Sequence, residues 1–247
     1  MYDIERREKI IEILKKEKSC SVAKLAKTLN YSEATIRRDL NILDKELKIK
    51  KTFGGAVIFD NYGTEVPITI RRNENAEIKK ILCQNAAKFL KDNMTIFLAA
   101  STTTEYLVPY LKLHSNLTVV TNSPDVPKML AGSDVTVYST GGRFLHHSNS
   151  YVGEFARKML NGINADIMFF SPRGINSSGK VTVSSTEDDI HKAMMENSSK
   201  ICMIADSSKF DKAFPFTICN ITQVDYLITD KPLPAPLEHN GLIVADK

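Results

Sequence analysis

Three sets of apolar residues recur at helical spacing within the first 50 residues of the chain. The first set predicts a helix over residues 4–16. The second follows Ser21, a good N-cap residue, and predicts a second helix. The third predicts a helix that begins at Ser32, whose hydroxyl can accept a hydrogen bond from the backbone N–H of Thr35. The predicted buried residues of the third helix are Ile36, Leu40, Leu43 and Leu47.

The second and third predicted helices are joined by a very short turn at Asn30-Tyr31. Two short helices joined this closely, the second rich in arginine, are typical of a helix-turn-helix. Residues 48–58 follow, with two β-prone stretches on either side of Gly54-Gly55, and predict a small basic hairpin. The first 58 residues therefore form a predicted winged helix-turn-helix.

From residue 74 onward, apolar runs typical of buried strands alternate with stretches typical of helices. Strands are predicted at 95–100, 117–121, 135–140, 165–171, 200–205, 226–228 and 242–245. Helices are predicted at 74–91, from 104 to 113, and at 124–130, 151–160 and 186–197. This alternation predicts an α/β domain with a mainly parallel sheet, covered on both faces, over residues 74–247. The polar, turn-rich stretch within residues 59–73 is a predicted linker.

Composition fits a two-domain globular protein: the 247 residues are 43% hydrophobic and 25% charged. No apolar run approaches the roughly 20 residues of a membrane helix, and the charged start shows no secretion signal. The four cysteines are scattered, so we expect no disulfide framework, no metal site and a cytoplasmic location. Residues 1–58 hold 14 Lys and Arg against 9 Asp and Glu. That excess indicates a polyanion partner or, equally, an ordinary Lys-rich solvated surface.

The exposed face of the third helix carries the candidate DNA-reading groups. A recognition helix places its N-terminal residues against base edges, where Arg binds guanine or phosphate. The alternative is that Arg37 and Arg38 are solvated and pair with Asp39 or Asp44. The predicted DNA-binding residues are Ser32, Ala34, Thr35, Arg37, Arg38 and Asn41 of the helix and Lys50, Lys51, Gly54 and Gly55 of the wing.

The string Thr35-Ile36-Arg37-Arg38-Asp39-Leu40, followed by Gly54-Gly55-Ala56, resembles the N-terminal winged helix of DeoR-type bacterial transcription regulators. The resemblance implies that double-stranded operator DNA is a partner. Members often have Arg and His where this chain has Lys51 and Phe53. The first difference keeps the charge, and the second removes a polar group from the wing.

Polar residues cluster where the predicted parallel strands end, which is where open α/β sheets bind ligands. The run Ser101-Thr102-Thr103-Thr104 offers hydroxyls and helix N-terminal N–H groups to an anion such as phosphate, or it simply caps the helix. Lys192 and Lys209 are candidate phosphate partners or solvated surface lysines. Asp166 and Asp206 could accept from sugar hydroxyls, or cap a strand end and a turn. The predicted effector-binding residues are Ser101, Thr102, Thr103, Thr104, Asn122, Gly142, Asp166, Gly174, Lys192 and Lys209.

The larger part of the chain also resembles the DeoR-type effector domain, which is similar to ribose-5-phosphate isomerase and CoA-transferase folds. Matching pieces include Val120-Thr121-Asn122-Ser123, Gly141-Gly142 and Asp206-Ser207-Ser208-Lys209-Phe210. The resemblance implies a phosphorylated sugar or a relative as effector, and no catalysis. One departure is clear: the family usually has Asp-x-Gly-Thr-Thr where this chain has Ala99-Ala100-Ser101-Thr102-Thr103. An acceptor carboxylate and a flexible glycine are both absent there.

Three functions remain open at this point. The first is a ligand-controlled regulator, most simply a repressor, that forms at least a dimer to match repeated half-sites. The second is a sugar-phosphate isomerase-like enzyme with an accessory basic head, although no carboxylate base can be assigned. The third is a non-specific DNA binder. We expect no cofactor, and the adjacent His146 and His147 lack the neighbouring ligands of a metal site.

Overall fold

The computed structural model describes residues 3–17, 19–45, 49–52, 54–58, 68–184 and 189–245. The chain divides into two compact units, residues 1–66 and 67–247, which we call the small unit and the large unit. Each unit has a separate hydrophobic core.

The small unit contains three helices and a three-stranded antiparallel sheet. In chain order its elements are α1 (Asp3–Glu17), β1 (Ser19–Ser21), α2 (Val22–Leu29), α3 (Glu33–Lys45), β2 (Ile49–Thr52) and β3 (Gly55–Ile58). The hairpin β2–β3 is the predicted wing, and β1 pairs with the other side of β3. The predicted winged helix-turn-helix is confirmed, whereas β1 was not predicted because three residues are too few for a readable alternation.

The predicted helix boundaries rest on side-chain caps that the structure contains. The Ser21 hydroxyl accepts from the backbone N–H of Lys24 at 3.2 Å, and the Ser32 hydroxyl accepts from that of Thr35 at 3.2 Å. Asn30 ends α2 with a left-handed backbone (φ 58°). Ile36, Leu40 and Leu43 are fully buried, as the apolar spacing predicts, and Leu47 lies outside the described residues.

A buried ion pair holds α3 against α1. Arg6 is 7% exposed and Asp39 is 2% exposed, and Arg6 donates from Nη2 to Asp39 Oδ1 at 3.0 Å and from Nε to Oδ2. The guanidinium also lies 4.7 Å from the centre of the Tyr31 ring. The hydrogen bond to Asp39 is the main reason that the pKa of Arg6 is raised. Asp39 therefore pairs with a different helix rather than with the arginines of α3.

The large unit is built on a seven-stranded parallel sheet. Its helices are α4 (Ile68–Asn73), α5 (Ala76–Ala86), α6 (Val108–Leu111), α7 (Val126–Leu130), α8 (Glu154–Leu160) and α9 (Asp189–Glu196). The sheet strands are β4 (Thr95–Leu98), β5 (Thr118–Thr121), β6 (Thr136–Ser139), β9 (Ile167–Phe170), β12 (Ile201–Ile204), β14 (Tyr226–Thr229) and β15 (Leu242–Val244). Their spatial order is β15-β14-β12-β9-β4-β5-β6, and every pairing is parallel. The predicted α/β class and parallel sheet are confirmed.

Two smaller antiparallel sheets lie outside the sequence prediction. One is the hairpin of β7 (Arg143–Leu145) and β8 (Ser150–Val152), and the other contains β10 (Gly174–Ile175), β11 (Lys180–Val183) and β13 (Phe216–Asn220). The prediction placed a helix over 151–160, but residues 150–152 are a strand and the helix begins at Glu154. These strands have two to five residues, too few to show a clear period.

The predicted linker also differs from the structure. Residues 59–67 lie outside the described residues, but residues 68–73 form α4, which is hydrogen-bonded to the rest of the large unit. Six residues carry too little apolar periodicity to signal a helix. Residues 68–73, which the sequence analysis assigned to the linker, therefore belong to the large unit as α4. The start of the predicted helix at 186–197 lies outside the described residues, and α9 covers its second part.

Candidate functional site

The predicted DNA-reading face of α3 is exposed. Ala34, Arg37, Arg38 and Asn41 are exposed, while Ile36 and Leu40 on the opposite face are fully buried. This division follows from the helical period, since residues three and four apart share a face. The two guanidinium groups therefore lie outside the core of their own unit, as a recognition helix requires.

Local hydrogen bonds on α3 distinguish the candidate residues. Arg37 donates to Glu33 at 3.2 Å one turn earlier, and the two side chains are 54% and 52% exposed. The Thr35 hydroxyl is 2.9 Å from the Ser32 hydroxyl, so both groups serve the N-cap. Asn41 Oδ1 accepts from Lys51 Nζ, which joins the helix to the wing. The alternative that the arginines of α3 pair with carboxylates therefore applies to Arg37, although its partner is Glu33 and not Asp39 or Asp44.

Gly55 of the wing has a role in packing. Gly55 is buried, and a Cβ at that position would lie 2.1 Å from the backbone oxygen of Cys20. Glycine is required there because β1 packs against β3. The DNA contact predicted for Gly55 stays a prediction. Gly54 is exposed, and its carbonyl accepts from the Val22 N–H at 2.9 Å. The side chain of Lys50 lies outside the described residues.

The carboxyl ends of four central strands bring distant polar groups to one edge of the large unit. The Ser101–Thr104 run follows β4, Asn122 follows β5, Ser171 and Arg173 follow β9, and Asp206 and Lys209 follow β12. Because all these strands are parallel and adjacent, their following loops meet at one edge. The predicted crevice is therefore consistent with the topology.

Within the Ser-Thr run, the four hydroxyls have different roles. The Ser101 hydroxyl accepts from Thr104 N–H at 2.9 Å, and the Thr104 hydroxyl donates to Ala99 O at 2.7 Å. These two residues cap the helical turn that follows, which is the alternative role that the sequence analysis gave the Ser-Thr run. The Thr103 hydroxyl accepts from Ser171 Oγ at 3.3 Å. The Thr102 hydroxyl, on a buried residue, accepts from Lys79 Nζ at 3.1 Å and so joins the run to a cation.

Four basic side chains, which we call the cation cluster, each lie within electrostatic range of two of the others: Arg71, Lys79, Arg173 and Lys209. Burial, with repulsion from Arg173, lowers the pKa of Arg71 to about 9. Burial also lowers the pKa of Lys209 to about 8, and repulsion from Arg173 and Lys79 adds to the effect. Burial is the main reason that the pKa of Lys79 is lowered. Partly buried cations held this close are expected at an anion-binding site.

Asp206 is the most deeply buried acidic group beside this cluster. It is 1% exposed, and its Oδ1 accepts from Asn75 Nδ2 and from the Ser208 N–H, both at 3.1 Å. Its Oδ2 is buried and has no hydrogen-bond partner among the described residues. Its negative charge opposes the lowering of the pKa of both Lys79 and Lys209. Glu105, 8% exposed, also lies within electrostatic range of Arg71 and Lys79. The site therefore combines four clustered cations with two buried carboxylates.

Asp166 is not at this edge. It directly precedes β9, and its Oδ2 accepts from the backbone N–H of Thr95 at 2.8 Å, at the start of β4. Both residues lie at the amino ends of parallel strands, opposite the crevice. The strand-capping alternative is the role that the structure gives Asp166, and the predicted effector contact is wrong.

Four other candidates serve the fold or lie on the surface. Asn122 is buried, with Oδ1 accepting from Ala100 N–H at 2.8 Å and Nδ2 donating to Tyr151 O at 3.2 Å. Gly142 has φ +104°, and a Cβ there would lie 2.7 Å from Val152 O. Gly174 is buried with Lys212 O 2.5 Å from its Cβ position, and Lys192 is exposed on α9. The close approach of Lys212 O requires glycine at position 174, and the ligand contact predicted for Gly174 stays a prediction.

Sequence reasoning missed three of the four clustered cations. Arg71 falls in the predicted linker, Lys79 on a predicted helix, and Arg173 in a loop after a predicted strand. One sequence signal could have identified Lys79: it shares a helix face with the apolar residues Leu82 and Cys83, three and four positions later. In the structure Lys79 is 3% exposed. A lysine is rarely buried unless it has a partner.

Among the described residues, no group of three or more His, Cys, Asp or Glu could hold a metal ion. The four cysteines are all buried and unpaired. None of the described helices is both long enough and apolar enough to cross a bilayer.

Comparison with known proteins agrees with this geometry. Residues 6–61 match a family model described as the DeoR-like helix-turn-helix domain, and residues 74–231 match the DeoR C terminal sensor domain. The HTH-type transcriptional regulator YulB of Bacillus subtilis is 34% identical over 94% of this chain and 91% of its own length. The glycerol-3-phosphate regulon repressor of Escherichia coli is 29% identical over 95% of this chain and 93% of its own. Ribose 5-phosphate isomerase A of Methanocaldococcus jannaschii aligns over 56% of this chain and 55% of that one, with 14% identity and a TM-score of 0.40.

Proposed function

Because the chain belongs to the DeoR family of transcriptional regulators, we propose that it is a repressor released from operator DNA by a phosphorylated sugar or related metabolite. The small unit binds the DNA, and the large unit binds the metabolite. The name of the Escherichia coli relative states that it represses a glycerol-3-phosphate regulon, which supports this class of ligand. Such a regulator acts where the chromosome lies, in the cytoplasm.

The cation cluster carries the ligand assignment. Two of its members, Lys79 and Lys209, lie within electrostatic range of the buried Asp206, and Lys79 also contacts Thr102 at 3.1 Å. A phosphate dianion relieves the mutual repulsion of the cations and accepts charge-assisted hydrogen bonds from them. A sugar hydroxyl adjacent to the phosphate provides a donor for Asp206 Oδ2, which has no partner among the described residues.

The DNA assignment depends on the exposed face of α3 and on the wing. Arg38 and Ala34 occupy the outer face of the helix, and Lys51 extends from the wing toward Asn41. A helix of this kind enters the major groove, and wing lysines follow the phosphate backbone. We propose that the protein binds as at least a dimer, because one recognition helix reads one half-site.

A melting-temperature screen tests the ligand assignment. The full chain is heated with glycerol 3-phosphate, ribose 5-phosphate, fructose 6-phosphate and inorganic phosphate, and a bound ligand raises the melting temperature by mass action. We expect at least one phosphate monoester to raise it in the wild type and to have little effect on Lys79→Met. Lys112→Met is the matched control, since that lysine is exposed, and it should respond as the wild type does. Equal shifts in all three proteins would contradict the assignment.

The same screen separates a sensor from an enzyme. Each sugar phosphate that stabilises the protein is incubated with it, and the products are separated by chromatography. We expect the ligand to be recovered unchanged, since a sensor needs binding without turnover. Isomerisation that is lost in Asp206→Asn would contradict the repressor proposal and favour the isomerase-like alternative.

A further inference from the structure

The helix α4 is tied to the ligand-facing edge of the large unit by a forked ion pair. Arg72 donates from Nε and Nη2 to the two carboxylate oxygens of Glu105, each at 3.0 Å, and from Nη2 to Asp125 Oδ2 at 2.7 Å. The Glu105 side chain is 10% exposed. Glu105 directly follows the Ser-Thr run, and Asp125 lies in the loop after β5. Arg72 therefore fixes α4 to two loops of the crevice.

A second set of contacts joins α4 to the cation cluster itself. Lys79 Nζ donates to the backbone oxygen of Arg71, in α4, and to the hydroxyl of Thr102. Arg71 donates from Nη2 to His147 O at 2.8 Å, in the turn between β7 and β8. One buried ammonium group thus bridges the helix and the loop that is expected to hold phosphate.

We propose that α4 is the element that responds to the ligand, and that Arg72 is a positioning residue that couples its docking to anion binding. This inference rests on the proposed function, since it names how occupancy of the same site is transmitted. The ammonium of Lys79 has three N–H donors. Two of them are directed to Arg71 O and Thr102, which leaves a third for a ligand oxygen.

The coupling follows from this shared group. An anion held by Lys79 strengthens the bridge between α4 and the Ser-Thr run, so ligand binding favours the docked helix. A change that favours the undocked state of α4 must therefore weaken ligand binding, at most by the ratio of the ligand's affinities for the docked and undocked states. Arg72 has no hydrogen bond to the Ser-Thr hydroxyls among the described residues, so its effect on affinity passes through the position of α4.

The place of α4 in the chain gives the coupling a consequence for DNA binding. It is the first described element after the small unit, and residues 59–67 connect the two. A change in how firmly α4 is docked therefore acts on the end of the segment that leads to the DNA-binding helices. A ligand that binds the docked and undocked states of α4 with different affinity shifts their populations, and that shift is sufficient to switch DNA binding.

Hydrogen exchange with mass spectrometry tests the coupling in the full chain, with inorganic phosphate as the probe and chloride at equal ionic strength as the reference. We expect phosphate to slow exchange of the peptide spanning residues 71–79 in the wild type. In Arg72→Met the same peptide should exchange faster, and phosphate should bind at least about fivefold more weakly, the low end of typical coupling. Arg72→Lys should be intermediate, since an ammonium cannot reproduce the fork.

Two further variants make the test decisive. Glu105→Gln keeps the shape of the Arg72 partner without its charge and should weaken phosphate in the same direction. Arg157→Met removes an exposed arginine from α8 and should match the wild type. If phosphate raises the melting temperature but leaves exchange of residues 71–79 unchanged, or if Arg72→Met binds phosphate normally, the coupling is wrong and the proposed function stands. If phosphate and the sugar phosphates all fail to bind, the coupling and the proposed function are both wrong.

Discussion

The two units of this protein display their functional groups in opposite ways. In the small unit the candidate DNA-reading residues of the helix lie within ten consecutive positions of α3 and its cap, from Ser32 to Asn41, and Arg37 and Arg38 are exposed. In the large unit Lys79 and Asp206 are buried and come from segments that meet through the sheet topology. A groove-binding surface must project from the fold, whereas a small-molecule site must enclose its ligand.

The difference has an electrostatic consequence. Arg37 and Arg38 are exposed to solvent, whereas burial lowers the pKa of Lys209 to about 8 and that of Arg71 to about 9. Solvated charges act through counterion release on DNA. Charges gathered in a crevice are poised to gain free energy when an anion arrives.

The largest expected effect concerns the one buried ion pair described in the small unit. Replacing Arg6 by Met leaves Asp39 buried without its partner, so we expect the small unit to lose about 3 kcal/mol of unfolding free energy. Hydrogen exchange of peptides from α1 and α3 in the full chain measures the loss. Glu33→Gln, which breaks the exposed pair with Arg37, is the matched control and should change stability by no more than about 0.5 kcal/mol. Comparable losses of unfolding free energy in both variants would contradict the expected difference between a buried and an exposed ion pair.

The next effect concerns DNA affinity. Arg38→Ala should weaken operator binding by about 1–3 kcal/mol if the guanidinium contacts a base, because a bidentate Arg–guanine pair contributes about that much discrimination. Gel-shift titration at fixed salt measures it, with Arg157→Ala in the large unit as the control. The melting shift produced by the sugar phosphate should be the same in both variants. Unchanged operator affinity would remove Arg38 from the interface.

A smaller effect is expected from pH. Because the ammonium form of Lys209 binds the anion and its pKa is about 8, deprotonation removes a charge as the pH rises through that value. We expect affinity for a phosphate monoester to fall by up to about tenfold between pH 7.5 and 9, one pKa unit corresponding to a factor of ten. The ester is already a dianion at pH 7.5, so its own titration contributes little. Isothermal titration calorimetry gives the affinities.

The variant Lys209→Met separates this lysine from other groups. It should bind the ester more weakly at pH 7.5 and lose most of the dependence on pH. A dependence as steep as that of the wild type would assign the titration to another group, with Lys79, whose pKa burial also lowers, as the next candidate.

The smallest expected effect is at Asp166, at the opposite edge of the sheet. Asp166→Asn keeps a side-chain oxygen that can accept from Thr95 N–H, so we expect stability and sugar-phosphate affinity both to remain close to wild type. Titration of the same ester, beside Asp206→Asn, measures this. A marked loss of affinity in Asp166→Asn would mean that ligand also binds at the amino edge.

The contrast between the units also explains what could be predicted from the sequence. The winged helix, the parallel sheet and the loop after β4 follow from periodicity and from caps such as Ser21 and Ser32, which are local signals. The Arg6–Asp39 pair, the antiparallel strands and the contacts of Lys79 depend on residues far apart in the chain. Asp166 was assigned to the ligand although it stands at the amino end of the predicted strand 165–171, because its partner, the backbone N–H of Thr95, is 71 residues away in the chain.

The central claim is that a ligand in the large unit controls the affinity of the small unit for DNA. The most direct measurement is a titration of the full chain with a duplex obtained by selection from random sequences, with and without the phosphate ester that stabilises the protein. We predict that the ester weakens binding at least about fivefold in the wild type and has no effect on Lys79→Met, which should bind the duplex normally without ligand. Equal DNA affinity with and without saturating ester in the wild type would contradict the account.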